Sequence, residues 1–487
     1  MFGFLKRTPA KIRSAIKRSG RIIRGRFDSA VTTDSNARHW SEADGLSPDS
    51  SMSMSVRRTL RNRARYEVAN NTYAKGIGLT LANDTIGTGP RLQVLTENPE
   101  VNRRIEQAFQ AWAHQINLGH KLRVMRLARY ESGEAFAMLV SNPALEGGVE
   151  LDLRLIEADR ITTPFFDVLD RNAVDGIKFD EFGNPTSYQL LRDHPGNTSG
   201  DLIGFSFESD DIPAADMIHY FRADRPDQHR GIPDITPALH LFAQLRRYTL
   251  AVIAAAETAA DFAGILMTTS PPDEGTQKID PFDNIELEAR MLVTMPEGWG
   301  MQQMKSEQPA TTYSEFKNQI INEIARCLNM PFNVAAGNSS GYNFASGRLD
   351  HQTYFKSLRV ERSHIECCIV DRVFAKWIDE AALSINILKG LSPVDVIPHQ
   401  WFWDGFEHVD PLKEANAQSV KLLNHTTTLA DEYAQRGQDW ETQLRQRAKE
   451  IKLARELGLP EQMEAITTVD PIQAIVDELE DRGINGY

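Results

Sequence analysis

One unbroken helical stretch constrains this chain more than any other feature. From Pro237 to Ala263 no further glycine or proline interrupts the sequence. The spacing predicts a helix over residues 237–263, roughly 40 Å long at 1.5 Å per residue. Thr236 is a favourable N-cap, and Pro237 suits the first helical position, where a missing N–H costs nothing. Leu239, Phe242, Leu245, Tyr248 and Val252 recur at steps of three and four, which marks one apolar helix face. The following turns are small: Ala251, Ala254, Ala255, Ala256, Ala259 and Ala260. Alanine is the best helix former and lets a second helix approach closely. A rod of this length with a narrow apolar face needs neighbours, either another helix or copies of itself. The plain alternative is a long core helix of an ordinary enzyme domain.

The rest of the chain narrows the choice. At 487 residues it is too long for one compact core, and two to four domains are expected. Its 41% hydrophobic and 25% charged residues fit a soluble globular protein, and it has no apolar run long enough to span a membrane. Cys327, Cys367 and Cys368 form neither a CxxC nor an even framework, so they read as buried apolar residues in a reducing compartment. The net charge of −13 is uneven: residues 1–27 hold nine Lys and Arg and no acid, which leaves −22 for the rest. An acidic body grips nucleic acid poorly, because that affinity comes mainly from cation–phosphate contacts. It suits a surface that touches DNA without adhering to it.

In chain order, residues 1–27 place Leu5, Ile12, Ile16 and Ile23 on one helical face. Three readings stay open: an arm contacting nucleic acid or a partner, a membrane-surface helix, or a solvated terminus. Residues 28–55, rich in Ser, Asp and Asn, read as a linker. A helix over 56–81 carries Arg57, Arg58, Arg61, Arg63 and Arg65, set to face phosphates or acids, or simply solvent and a neighbouring subunit. Asn98-Pro99 opens a helix through Trp112, and another covers 122–132. Strand-like runs follow at 135–140, 151–156, 176–179, 187–191 and 217–221, separated by glycine-containing turns. An α+β domain therefore precedes the rod. After the rod comes a short mixed segment in which Gly298-Trp299-Gly300 places an aromatic on a turn, as a partner contact or a small-domain anchor. A second rod opens with a Thr312–Glu315 capping box and runs to Leu328. A loop rich in Asn, Ser and Gly spans 332–347, a long helix carries Phe355 to Trp377, and helices are expected at 411–423, 427–436, 440–457 and 472–481.

Chemistry-bearing motifs are missing. The chain contains no GxxxxGK[ST], HExxH, GxSxG or HxE…PCxxC. His364 and Cys367 sit three apart on a helix but lack further ligands, and Glu157 and Asp159 read as a solvated pair near a turn. No catalytic, cofactor-binding or metal site, and no small-molecule substrate, is expected.

Several stretches do carry a likeness: residues 57–82, Ser132-Gly133-Glu134-Ala135-Phe136, Gly176–Asp180, Ile218-His219-Tyr220-Phe221, Arg225–Pro233, Tyr342–Arg348 and Val409–Ala415. Through them the chain resembles the portal proteins of lambda-type tailed bacteriophages over about residues 55–460. The resemblance implies an α+β portal fold of wing, long-helix stem, α/β clip and helical crown, in a ring, usually of twelve subunits, around a central channel. It implies a virion component at the portal vertex, assembled in the host cytoplasm, that is not an enzyme. Double-stranded DNA passes through without sequence preference in packaging and ejection. The implied partners are the terminase large subunit, head-completion or adaptor proteins, and major capsid and scaffolding proteins. By that layout residues 1–55 are an arm and linker, 56–233 the wing, 234–263 the first stem helix and 264–312 the clip. The second stem helix is 313–331, the channel loop 332–347, the long wing helix 348–400 and the crown 401–487. Asn338, Ser339, Ser340, Tyr342 and Asn343 are then the loop's uncharged DNA-facing groups. Glu257 and Asp261, acids at a helix C-terminus whose dipole disfavours them, then face the channel or pair with a neighbouring subunit. Pro271, Pro272 and Trp299 face the terminase. A DNA-processing enzyme with an acidic site and a membrane-surface scaffold are the competing readings.

Overall fold

The structure, a computed structural model, describes residues 30–163, 172–197, 208–260, 264–268, 299–303, 312–340, 344–383, 397–405 and 411–458. A one-turn helix α1 (Pro48–Ser51) leads into α2 (Met54–Asn70) and α3 (Thr72–Ile86). The single helix expected over 56–81 is thus two. Asn71 is extended and ends α2, while its side chain accepts from the Tyr73 and Ala74 N–H groups and starts α3. Strand β1 (Arg91–Val94), α4 (Pro99–Gln115) and α5 (Leu118–Ser132) follow. As expected, Pro99 opens α4, and Asn98 caps it by accepting from Glu100 and Val101.

Strand β2 (Glu134–Ser141) lies between β3 (Leu151–Ile156) and β8 (Met217–Phe221) in an antiparallel sheet, with Phe136 opposite both Ile156 and His219. A second antiparallel sheet runs β4 (Ala173–Val174), β5 (Ile177–Phe179), β6 (Pro185–Leu191) and β7 (Ser209–Pro213). The five expected strands form. Edge strand β7, Ser-Asp-Asp-Ile-Pro, shows no apolar alternation and is a strand because β6 supplies its ladder.

The rod is α6 (Leu239–Ala260). The expected cap does not form: residues 236–238 make a 3-10 turn, and Thr236 Oγ1 donates to the Pro233 carbonyl at 2.7 Å instead. Strand β9 (Gly264–Thr268) pairs with β10 (Trp299–Gln303), with Trp299 opposite Thr268. Trp299 and Gly300 therefore belong to a strand rather than the expected turn. The capping box at α7 (Tyr313–Arg326) is also absent, since Thr312 has a helical backbone and makes no side-chain cap bond. The polar loop is shorter than expected. Helix α8 (Phe332–Ala336) occupies its start, and α9 (Phe344–Ile365) already includes its end. A π-helical turn over Glu366–Val370 joins α9 to α10 (Asp371–Ala381). Cys367 falls on the outer side of that turn and is exposed, not buried, whereas Ile369 and Val370 enter the core. Strand β11 (His399–Phe402) returns to pair with β1, and α11 (Pro411–Leu423), α12 (Leu429–Gln435) and α13 (Trp440–Glu456) end the described chain. The arm 1–27 and the helix expected at 472–481 lie outside the described residues.

Three apolar cores hold this arrangement. One joins α4, α5 and the β2 sheet to α10, with the Phe109 and Trp377 rings 5.3 Å apart. A second wraps Phe242 and Leu245 of α6 with Ile77, Ile321, Ile324 and Leu358. A third, including Phe136, Tyr188 and Met217, lies between the two sheets.

Candidate subunit interface and channel surface

The rod changes character along its length. Leu239, Phe242 and Leu245 are 8%, 0% and 2% exposed. One to two turns later Leu250 is 57% and Ile253 48% exposed, and Ala251, Ala254 and Ala256 are exposed with them. On α7, which packs against α6 through Tyr248 and Tyr313, Phe316 is 52% exposed. Among the described residues, the 250–256 stretch of α6 therefore presents apolar side chains that its own chain leaves exposed, and such a face marks an interaction surface.

The root of the rod is held by buried charge. Glu134, fully buried at the start of β2, accepts from Arg230 Nε at 2.9 Å and Nη2 at 2.6 Å, from Arg61 and His219 at 3.1 Å each, and from the Gly231 N–H at 3.1 Å. Arg230 also donates to the Ile161 and Asp175 carbonyls. Gly133 and Gly231 let these backbones meet: a Cβ on Gly231 would lie 2.1 Å from the Gly133 oxygen, and Gly133 itself has φ +93°. Three of the five arginines of α2 complete the cluster, while Arg58 and Arg63 are exposed. Arg57 bonds Asp175, Arg61 bonds Asp159 at 2.9 Å, and Arg65 lies 2.6 Å from Glu157 and 2.8 Å from Asp159. Arg57 and Arg61 thus face neither phosphate nor solvent nor a neighbouring subunit. The face of α2 that carries them packs on the sheet rim, where strand-end carboxylates of the same chain reach them. Asp159, expected as solvated, is largely covered in this network, whereas Glu157 is 49% exposed as expected and joins it through Arg65.

A second cluster fixes the residue just ahead of the rod. Asp234 is buried 2.9 Å from Arg126, 3.4 Å from Arg222 and 3.6 Å from Arg129. Arg129 also donates to Tyr220 at 2.9 Å and to Glu361 of α9. The root of the rod, the β2 sheet and α9 therefore share one set of ion pairs.

These contacts have a pH consequence. Burial alone would raise the Glu134 carboxyl; the Arg230 charge and hydrogen bonds from His219 and Arg230 outweigh it and hold the group well below the usual range. Burial likewise works against Asp234, and Arg126, Arg129 and Arg222 overcome it. Burial depresses His219, and its bond to Glu134 offsets this only in part. For the carboxylates the folded value lies below the unfolded one. Their stabilisation is present above about pH 4 and is lost as pH falls through the folded values. Urea midpoints are expected to drop as pH is lowered below about 4. Asp234→Asn is expected to start less stable but to lose less over that range; an unchanged slope would remove Asp234 from the account.

The expected site residues fall in several places. Glu257 is exposed on the uncovered part of α6, and Asp261 lies outside the described residues. Asn338, Ser339 and Ser340 are exposed together after α8, where Asn338 Oδ1 accepts from the Ser340 N–H at 2.9 Å. Tyr342, Asn343, Pro271 and Pro272 lie outside the described residues, and Trp299 is placed in β10. Among the described residues one group has metal-ligand spacing, Glu157, Asp159 and His194. The Arg65 guanidinium already lies against both of its carboxylates. Sequence reasoning missed Glu134 and Arg230 as a pair. The available signal was an acid, Glu134, directly before the apolar run of β2.

A family model described as phage portal protein, lambda family, matches residues 33–362. A probable portal protein of Halomonas phage phiHAP-1 is 25% identical over 465 residues, covering 86% of this chain and 86% of that protein. Among solved structures, a chain from the neck of an empty gene transfer agent particle computed with C6 symmetry superposes with a TM-score of 0.48 and 14% identity, over 78% of this chain and 94% of that one. A chain from the neck of the native particle computed with C12 symmetry gives 0.47 and 13%, again over 78% and 94%.

Proposed function

Because this chain belongs to the lambda family of phage portal proteins, we propose that its copies close into a ring, of the twelve subunits that family membership implies, through which double-stranded DNA enters and leaves the capsid. The observation that carries this reading is the uncovered apolar half of α6, with Leu250, Ile253 and the exposed alanines. A helix face of this kind is stable in water only when another surface covers it. In a ring, one patch meets a different patch of the next copy and the rotation closes the assembly.

In this reading residues 56–233 and 348–400 are the wing and α6 and α7 the stem. Residues 264–312 are the clip, 332–347 the channel loop and 401–487 the crown. The clip meets the terminase large subunit through Pro271, Pro272 and Trp299. Adaptor proteins replace the motor after packaging, and capsid and scaffolding proteins surround the wing at the portal vertex. The particle assembles in the host cytoplasm. The chain acts as a conduit and not as an enzyme; Glu257 and Asp261 keep phosphates from adhering, and the loop amides and hydroxyls touch any backbone sequence alike.

Negative-stain images of the purified chain are expected to show rings. A stable monomer at micromolar concentration would overturn the reading, and clear Mg²⁺-dependent nuclease or ATPase turnover would favour a DNA-processing enzyme instead. Within the ring, Asn338→Asp with Asn343→Asp is expected to leave assembly intact and to reduce retention of packaged DNA, because it places two anions per copy beside phosphates. Retention is measured as DNA per filled particle; loss of rings in this variant would make the loop a structural element.

A further inference from the structure

Two of the five arginines of α2 take no part in the ion pairs behind them. Arg58 and Arg63 are exposed and, among the described residues, meet neither a carboxylate nor a hydrogen-bond acceptor. They share one outward helix face with Thr59, Asn62, Tyr66 and Asn70, all of them exposed. Cations on a solvated helix are ordinarily balanced by acids four residues away. Here Met54 and Asn62 stand at that distance from Arg58, and Thr59 and Glu67 from Arg63. Glu67 is buried, so the outward face of α2 carries cations, amides and a hydroxyl but no acid.

Arg246 of α6 adds a third cation. Its guanidinium lies 5.7 Å from the centre of the Tyr66 ring, and its Nη1 donates to the Tyr66 hydroxyl at 3.3 Å. It too has no carboxylate partner among the described residues. In a chain of net charge −13, such a face fits a polyanion that the rest of the surface repels. The residue types choose among polyanions. Guanidinium forks match phosphate oxygens, and side-chain amides and hydroxyls are the neutral groups that contact a sugar–phosphate backbone. Roughly 7.5 Å of helix rise separates Arg58 from Arg63, and two nucleotides of one duplex strand rise roughly 6.8 Å. With Arg246 on it, the Tyr66 ring holds a cation in place rather than offering a platform to an unstacked base.

We propose that the outward face of α2, with Arg246 of α6, binds the phosphate backbone of duplex DNA without reading its sequence. The proposal rests on the conduit reading for its ligand and adds to it a cationic contact separate from the uncharged loop at 338–343. It leaves Arg57, Arg61 and Arg65 to hold the fold from the inner side of the same helix. One helix then uses its arginines in two ways, and burial decides which.

Fluorescence anisotropy of a short labelled duplex, read against the full-length chain over a salt series, tests this. Arg58→Gln with Arg63→Gln is expected to lower the affinity at least ~10-fold at about 0.1 M salt, and to reduce the slope of log K against log salt by about 2. The loss is expected to be the same for two unrelated duplex sequences. Arg58→Lys with Arg63→Lys is expected to keep the slope, because the charges remain. Both variants retain residues 1–27 with their nine cations, so the difference between them reports α2 alone. A Gln variant that binds duplex as the wild type does overturns the proposal. So does a Gln variant that loses the rings of the wild type, since the face then meets a neighbouring copy. Duplex displaced more readily by polyglutamate than by unlabelled duplex overturns it as well, since the face then takes an acidic protein. Anisotropy reads the chain whether or not it assembles, so absence of rings in the wild type overturns the ring reading alone.

Discussion

Leu250→Asp combined with Ile253→Asp is expected to convert the proposed ring into a folded monomer. Both side chains are about half exposed in one copy, so the substitutions touch no core and are expected to change the stability of that copy by no more than about 0.5 kcal/mol each. In the ring the same positions would lie in an apolar contact. There each carboxylate would lose its hydration without an arginine to replace it, at several kcal/mol per group even after relaxation. Every contact around the ring carries the same two charges, so the penalty repeats at each step of closure. Native mass and sedimentation read the assembly, and far-UV circular dichroism with urea unfolding reads the fold. Rings that persist in this variant would remove α6 from the interface, and a misfolded chain would mean that these positions are core after all.

Glu134→Ala is expected to destabilise the chain by about 3–5 kcal/mol, because it leaves Arg230 and Arg61 buried beside an empty acceptor. A loss of that size is a large fraction of the stability of an ordinary domain. Glu134→Gln keeps the shape and one acceptor oxygen but not the charge, and is expected to fall between wild type and the alanine variant. Urea midpoints with unchanged m-values measure both. If Glu134→Ala stayed within about 1 kcal/mol of wild type, the network would not be what holds the root of α6.

Much of the local structure was legible beforehand. The three-and-four spacing of Leu239, Phe242 and Leu245 named the buried face of α6, and Asn98-Pro99 marked the start of α4. Capping at Thr236 and Thr312 failed for different reasons. The Thr236 hydroxyl donates to the Pro233 carbonyl, and Thr312 has a helical backbone where an N-cap is normally extended. Arg57 and Arg61 were visible as charges, yet their partners lie 118 and 73 positions away, and such separations leave no periodic trace. Of the residues proposed to form the channel loop, the amides and hydroxyls at 338–340 were legible as composition, and their joint exposure after α8 needed coordinates.

By itself the sequence determined where the long helices and the apolar strands form and that one rod would end in small apolar residues, because these depend on neighbours within a few positions. Only the tertiary structure decided which half of that rod stays uncovered and which acid compensates which arginine. Burial is a property of what distant segments leave exposed once they have packed, and a charge is tolerated inside only where folding brings its counter-charge within hydrogen-bond reach.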